Sequence, residues 1–273
     1  MINLLQGRRL VDLSVTLDNN PWTDPPPLLP SIEYQDHQQG WPEMAAMFPG
    51  LEKAQMPGEE AWASERLTVT PHNGTHMDAP WHYSSTTNGG EPAFGIDELP
   101  LEWCLRPGVR LDFRHVADGA ILQPEDLQRE LARIDYCLSP LDIVLINTAA
   151  GARYGQPDYL QRGCGIGRAA TLWLLEQGVR VVGTDAWSWD APFHFTRERF
   201  QASGDAGLIW EGHKAGREIA YGQMEKLSNL EQLPDHGFWV SCFPYKIRRG
   251  SAGFIRAVAI VTPEGVDDYV NLM

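Results

Sequence analysis

The alternation of apolar and polar residues predicts an ordered series of strands and helices. Residues 9–17 alternate between the two classes, which is typical of a half-buried strand. Residues 142–148 are almost continuously apolar and predict a strand that is buried on both faces. A helical pattern over 167–178 ends at a glycine and is followed by an apolar strand over 179–183. This order of strand, helix and strand predicts a βαβ unit and therefore an α/β fold.

Further elements follow from the same rules. Strands are predicted over 66–70 and 108–113, and a helix is predicted from Pro124, with Leu127, Leu131 and Ile134 at helical spacing. Two more strands, which a Gly/Ser-rich loop joins into a closing hairpin, are predicted over 238–244 and 255–261. Because the chain shows neither an internal repeat nor a linker, we expect one domain over residues 1–273.

Residues 18–65 depart from this regular pattern. The segment is rich in proline, and Pro25-Pro26-Pro27 excludes a helix or a central strand. Its aromatic residues need burial, which argues against a flexible insertion. They are Trp22, Tyr34, Trp41, Phe48 and Trp62. We therefore interpret the segment as a lid or as an arm that packs against another subunit.

Composition and charge narrow the class of protein. The chain has 273 residues, 43% hydrophobic and 21% charged, as expected for a globular protein with a large core. Its formal net charge of −14 argues against nucleic acid or an anionic membrane as a partner. Four dispersed cysteines do not resemble a disulfide framework or a zinc ribbon. Residues 1–9 lack the apolar core of a secretion signal, so we expect a cytoplasmic protein.

One short segment concentrates side chains that bind metals. Residues 71–82 contain His72, His76 and Asp78, and neutral imidazole and carboxylate suit zinc, manganese or iron(II). A glycine and a proline inside the segment argue against a helix, so we expect a tight loop after a strand. The alternative is a purely structural loop, which this density of ligand-type residues disfavours. His82 lies beyond the cluster and is free to act as a general acid or base.

The run His72-x-Gly74-Thr75-His76-x-Asp78-x-Pro80-x-His82 resembles the signature of the cyclase family of metal-dependent hydrolases. The resemblance extends over most of the chain. It implies a swivelling β/β/α fold, in which a mixed sheet curves into a partial barrel with flanking helices. It also implies a homodimer or homotetramer in which residues 18–65 reach a neighbouring active site.

The resemblance also assigns roles to residues that are uninformative alone. His213 and Glu225, twelve positions apart, match a family histidine and glutamate that reach the metal site. Together with a bridging Asp78 they imply a second ion, so the expectation is one or two zinc or manganese ions per chain. His82 is implied to relay a proton. Arg256 matches as well, and we interpret it as a structural ion-pair residue.

Tryptophans flank the matched motifs. Trp81, Trp187, Trp189 and Trp210 are the candidates for substrate binding, and they suggest a small, apolar or aromatic substrate. The turn over 184–190 also contains Asp185 and Asp190. Aspartates in turns usually bond to the local backbone, so neither is assigned a direct role in chemistry.

Three functions compete. The resemblance implies a hydrolase that cleaves the C–N bond of a cyclic amide, a cyclic imide or an aryl formamide by attack of hydroxide generated at the metal. A lactone hydrolase or a cyclase would use the same metal site. The third possibility is a non-catalytic metal- or ligand-binding protein, which His82 disfavours because such a protein needs no proton relay.

Overall fold

The computed structural model describes residues 7–262. Within this range a nine-stranded mixed sheet curls into a half-barrel that helices flank, which confirms the α/β fold class. The strands are β1 (Arg9–Asp12), β2 (Ser31–Gln35), β3 (Ser64–Thr68), β4 (His76–Asp78), β5 (Thr86–Thr87), β6 (Glu91–Pro92), β7 (Leu105–Asp112), β8 (Ile121–Leu122), β9 (Ile143–Asn147), β10 (Gly165–Ile166), β11 (Val181–Thr184), β12 (Gly222–Glu225), β13 (Phe238–Ser241), β14 (Ala252–Phe254) and β15 (Val258–Val261). The α-helices are α1 (Trp41–Met47), α2 (Pro80–Tyr83), α3 (Pro124–Arg133), α4 (Arg168–Glu176), α5 (Phe193–Ser203) and α6 (Glu211–Lys214).

The large sheet has the strand order β1-β15-β13-β7-β9-β11-β12-β4-β14. Its centre is parallel, because β7, β9, β11 and β12 run in one direction. Helix α3 connects β7 to β9, and α4 connects β9 to β11, so the predicted βαβ unit is present. Strand β9 is buried on both faces: Ile143 and Leu145 belong to one core cluster, while Val144 and Ile146 belong to the other.

Strand β4 lies between β12 and β14 and is antiparallel to both. The sequence-based expectation placed all of 71–82 in a loop, but His76–Asp78 form an interior strand and only the residues before them form turns. Met77 is fully buried in the core on one face. Because side chains alternate along a strand, His76 and Asp78 share the opposite face.

The predicted closing hairpin is confirmed, because β13 and β15 pair antiparallel from Phe238↔Val261 to Ser241↔Val258. Its connection contains a further strand, β14, which pairs with β4 at the opposite edge of the sheet. Four residues lead from Phe254 to Val258, a short distance that is possible because the sheet curls. The first strand ends at Asp12, before the predicted residue 17, because Ser14 turns to form a bridge with Leu227.

The irregular segment 18–65 divides into two parts. Asp24 is buried beside the metal-binding loop, where its carboxylate accepts a hydrogen bond from Asn73. Further along, β2 and β3 form a separate two-stranded ribbon, with α1 between them in the chain. Within residues 7–262, no helix combines the length and the apolar character needed to span a bilayer. The expectation that residues 1–9 lack a secretion signal rests mostly on residues 1–6, and these lie outside the described range.

Candidate active site

Two neighbouring strands build the floor of the site as a two-by-two array. Asp78 on β4 lies opposite Gln223 on β12, and His76 lies opposite Glu225. All four side chains are buried. Since the spacing within each strand is two residues, the four polar groups point to the same side of the sheet. The array is fixed by backbone pairing, which gives it a rigid geometry.

The carboxylate of Asp78 is the centre of the site, with histidines on both of its oxygens. His72 Nδ1 lies 2.9 Å and His76 Nε2 lies 3.3 Å from Asp78 Oδ1. On the other side, His82 Nε2 and His213 Nε2 each lie 3.8 Å from Asp78 Oδ2. This division gives the carboxylate the arrangement of a group that bridges two neighbouring positions.

Three of these histidines are held by a partner at the ring nitrogen that faces away from Asp78. The partners are the carbonyl oxygen of Gly74 at 2.9 Å for His76, Ser251 Oγ at 3.0 Å for His72, and the carboxylate of Asp190 for His213. Such partners orient a metal-binding imidazole and fix its tautomer. His82 differs, because neither of its ring nitrogens has a hydrogen-bond partner within residues 7–262.

The pKa shifts separate His82 from His213. Burial lowers the pKa of His82 to about 4, and the neighbouring His72 adds to the effect while Asp78 opposes it. His82 is therefore neutral near pH 7 and has the protonation state of a base. Burial also opposes protonation of His213, but Asp190 and Glu225 outweigh it and raise the pKa of His213 to about 10.

The charged groups of the site shift one another's pKa values. Burial alone would raise the pKa of Asp78, but His82 and His76 outweigh burial and hold the pKa well below its usual range. Burial likewise opposes protonation of His76, yet the nearby Asp78 raises its pKa overall. The raised pKa of His76 indicates negative charge around its ring, which a bound cation would neutralise.

The donor set fits a metal ion. His76 Nε2 and Asp78 Oδ1 are buried and 3.3 Å apart, and neither makes a hydrogen bond of normal geometry to a described residue, although His72 Nδ1 lies 2.9 Å from Asp78 Oδ1. Buried polar atoms are nearly always satisfied, so an unsatisfied pair of this kind marks a position for a ligand. Two groups have ligand atoms within 4.8 Å of one another: His72, Asp78 and His82, and His76, Asp78 and Glu225.

A cavity of about 270 Å³ opens above these groups. Its lining consists of Asp24, Leu28, Thr70, His72, His82, Trp187, Ser188, Phe193, Trp210, His213, Glu225 and Lys226. Trp210 stacks on His213 with ring centroids 4.6 Å apart and contacts the edge of His82 at 4.9 Å. It has φ +62°, a left-handed conformation that costs an ordinary residue about 1–2 kcal/mol. The backbone at this position is therefore strained where the indole covers two histidines.

Two of the four candidate tryptophans lie elsewhere. Trp189 is fully buried in the core, and its ring nitrogen donates a hydrogen bond to Thr171 Oγ1 at 2.9 Å. Trp81 is 48% exposed and is not part of the cavity lining. The structure thus brings only Trp187 and Trp210 to the cavity. Trp187 and Trp189 lie in an irregular turn, where residues two apart do not share a face as they do in a strand.

A family model described as a putative cyclase matches residues 11–191, about two thirds of the chain. The chain belongs to the cyclase family. The match includes His72, His76, Asp78 and His82 and ends before His213. The resemblance seen in the sequence is thereby confirmed.

Cyclase-family relatives and solved structures agree with this assignment. A kynurenine formamidase of Erythrobacter litoralis (strain HTCC2594) is 25% identical over 202 residues, which cover 73% of this chain and 77% of the relative. Isatin hydrolase A from Ralstonia solanacearum superimposes with a TM-score of 0.71 at 23% identity and covers 94% of this chain and 93% of its own. A potential metal-dependent hydrolase with cyclase activity gives a TM-score of 0.62 at 17% identity, covering 94% of this chain and 99% of its own.

Sequence reasoning missed Gln223 in this cyclase-family site. Its Nε2 donates a hydrogen bond to Glu225 Oε1 at 2.8 Å and lies 2.9 Å from His213 Nε2 and 3.5 Å from Asp78 Oδ2. The amide nitrogen thus occupies the space between the three groups expected to hold a second ion. Its position two residues before Glu225 was the available signal, because alternate residues of a strand share a face.

Sequence reasoning also missed a buried ion pair. Lys226 Nζ contacts the carboxylate of Asp24 and donates a hydrogen bond to the carbonyl oxygen of His72 at 2.9 Å. Trp187 Nε1 donates to the same aspartate at 3.0 Å. The pair joins Asp24 of the N-terminal segment to Lys226, 202 residues further along the chain, and Lys226 also binds the metal-binding loop. A distance this long leaves no local signal.

Asp185 and Arg256 have structural partners. Burial raises the pKa of Asp185 to about 7, although Thr148 and Asn147 donate hydrogen bonds to its carboxylate. Asp185 is not part of the cavity lining. Arg256 forms a two-pronged ion pair with Asp12, at 2.8 and 2.6 Å, as expected of a structural residue.

Proposed function

We propose that this protein is a metal-dependent hydrolase that cleaves the C–N bond of a small amide, either cyclic or an aryl formamide. The observation that carries the proposal is the unsatisfied pair His76 Nε2 and Asp78 Oδ1 at the base of a cavity with aromatic walls. The names of the relatives support amide substrates, since a kynurenine formamidase and an isatin hydrolase both act on amide bonds.

In this proposal His72, His76 and Asp78 hold one divalent ion, zinc or manganese, because nitrogen and carboxylate donors suit both. When bound, such an ion lowers the pKa of a water molecule and polarises the scissile carbonyl. His213 and Glu225, with Asp78, are the ligands of a second ion if one binds. Since the amide of Gln223 lies between them, we propose that the wild-type protein holds a single ion.

His82 acts as the proton relay. It lines the cavity, is neutral near pH 7 and has free ring nitrogens among the described residues, so it can accept a proton from the attacking water. The same imidazole then returns the proton to the leaving nitrogen. Trp187 and Trp210 hold a flat substrate against the site and exclude water from it.

The test is a substrate screen with controlled metal content. Protein stripped of metal and reloaded with zinc or manganese is assayed on N-formylkynurenine, isatin, cyclic imides and lactones. We expect hydrolysis of at least one amide, only in the reloaded protein. Full activity in the presence of a chelator would contradict metal dependence. Turnover of lactones alone would favour the lactone hydrolase, and binding without turnover would favour a non-catalytic protein.

A further inference from the structure

A second cavity, which we call the α5 groove, lies beside the catalytic cavity and has a volume of about 560 Å³. Its lining is mostly apolar and includes Phe193, Phe200, Ile209 and Trp210. Helix α5 forms one side, and none of its residues is buried. Phe193 is 50% exposed and Ile209 is 45% exposed. Large apolar side chains left exposed around one concave surface mark a binding site for an apolar group.

The groove adjoins the catalytic cavity. Phe193 and Trp210 line both spaces, so both aromatic side chains lie at the boundary between them. Phe193 also contacts Trp187 in a perpendicular arrangement with centroids 5.2 Å apart. On the catalytic side Trp210 stacks on His213. A molecule that extends from the metal-binding residues past Trp210 therefore enters the groove.

The sizes of the two spaces bear on the substrate. The catalytic cavity, at about 270 Å³, falls just below the range of about 300–1,000 Å³ that is typical of small-molecule sites. The α5 groove alone lies within that range. The catalytic cavity thus accommodates a small flat substrate, while the groove has room for an extended substituent.

We propose that the α5 groove is a second substrate subsite, which takes an extended apolar substituent of the amide being hydrolysed. The substrate class is then an amide whose amine or acyl part carries an alkyl or aryl group several carbon atoms long. This inference rests on the proposed hydrolase function. A second copy of this chain covering the groove is the competing occupant, and the test below distinguishes it.

The probes are two homologous series given to metal-loaded protein. One is formanilide with para-alkyl groups from none to hexyl, and the other is acetanilide with its acyl chain lengthened to hexanoyl. In at least one series we expect kcat/KM to rise by about two- to fourfold per methylene, as expected for burial of each group. Thr196→Trp fills the groove from α5 and should abolish this rise while preserving turnover of the shortest member.

Glu198→Trp is the matched control, because Glu198 is exposed on the same helix and is not part of the groove lining. It should keep the dependence on chain length. A flat dependence in the wild type, or an equal dependence in Thr196→Trp, would overturn the subsite. So would a change of oligomeric state in Thr196→Trp without a change in chain-length dependence, which would indicate a second copy over the groove.

A protein that hydrolyses no amide can still be tested for binding in the groove. If neither the anilides nor the amides of the substrate screen are hydrolysed, the proposed function is contradicted, and binding of the 4-alkylanilines is measured by calorimetry instead. Affinity that rises with alkyl length in the wild type and in Glu198→Trp, but not in Thr196→Trp, supports the groove as a binding site. Affinity independent of alkyl length overturns it.

Discussion

The imidazole rings of His72 and His82 lie with centroids 4.2 Å apart, and they face different oxygens of the same carboxylate, that of Asp78. Both rings are near enough to Asp78 to serve as metal ligands. Distance therefore does not separate a ligand from a proton relay here. Hydrogen bonding separates them: Ser251 bonds to the far nitrogen of His72, whereas His82 makes no side-chain hydrogen bond to a described residue and its Nε2 lies 3.8 Å from Asp78 Oδ2.

The first prediction follows from this difference. His82→Ala should leave the metal content nearly unchanged, because His72, His76 and Asp78 still hold the ion. Turnover should fall by about 10²–10⁴-fold, the usual loss when general acid–base help is removed. Elemental analysis and kinetics on the same preparation measure both effects.

His76→Ala is the matched control for this experiment. Its ring is oriented by Gly74 and points at Asp78, so its removal should cost metal and activity together. If His82→Ala loses metal as readily as His76→Ala does, His82 is a ligand and the proposed relay is wrong.

The second prediction concerns the number of ions. Gln223→Ala removes the amide from the space between His213 and Glu225. We expect metal content to rise from about one to about two ions per chain, since the nitrogen and carboxylate donors are then exposed to the vacated space. Elemental analysis and calorimetric titration with zinc or manganese measure the change.

Met224→Leu is the control, because Met224 is buried on the opposite face of the same strand. It should keep the wild-type metal content. A Gln223→Ala protein that still holds one ion would show that the amide does not block a second. One that loses its ion would show that Gln223 is itself a ligand.

The third prediction concerns the buried ion pair of Lys226 and Asp24. Lys226→Met leaves the Asp24 carboxylate buried without its cation and should lower the free energy of unfolding by about 3–5 kcal/mol. Adding Asp24→Asn should recover much of the loss, because the uncompensated charge is then gone. Urea denaturation of the two variants measures the difference, and equal stability of the single and double variants would contradict it.

Lys214→Met is the control for this experiment, because Lys214 is exposed. It should change the free energy of unfolding by no more than about 0.5 kcal/mol.

The fourth prediction is assembly into a homo-oligomer. The ribbon of β2 and β3 and the adjacent α1 region expose large apolar side chains, with Tyr34 63%, Met47 66% and Phe48 56% exposed. Light scattering at micromolar concentration should give a dimer or a tetramer, and Phe48→Glu should weaken it by placing a charge on an apolar surface. A fully active monomer would be inconsistent with this interpretation of residues 18–65.

The sequence was sufficient for those parts of the fold that depend on local pattern. The apolar run of β9, the glycine-terminated α4 and the following β11 were predicted because burial and helix termination leave periodic signals. The metal-binding histidines of residues 71–82 were found through residue type and spacing. The interior position of β4 was not, because three residues are too few to show a period.

Long-range contacts account for most of what was missed. Asp24 reaches Lys226 only after the chain has folded, and nothing near either residue marks the pair. Strand β14, in the connection between β13 and β15, was missed for the same reason, since its partner β4 lies far away in the sequence. Trp189 was assigned to the cavity by its neighbours in sequence, whereas its ring belongs to the core with Thr171.

The two-by-two array on β4 and β12 has a consequence for insertions and deletions. The residues between the polar groups are Met77 and Met224, which lie opposite each other and face the core. A shift of one residue in either strand would move both of its polar groups into the core and put a methionine in the place of one of them. Changes in chain length are thus excluded within these two strands. Inheritance of the chemistry therefore depends on preserving the length of two short strands as much as on preserving the residues themselves.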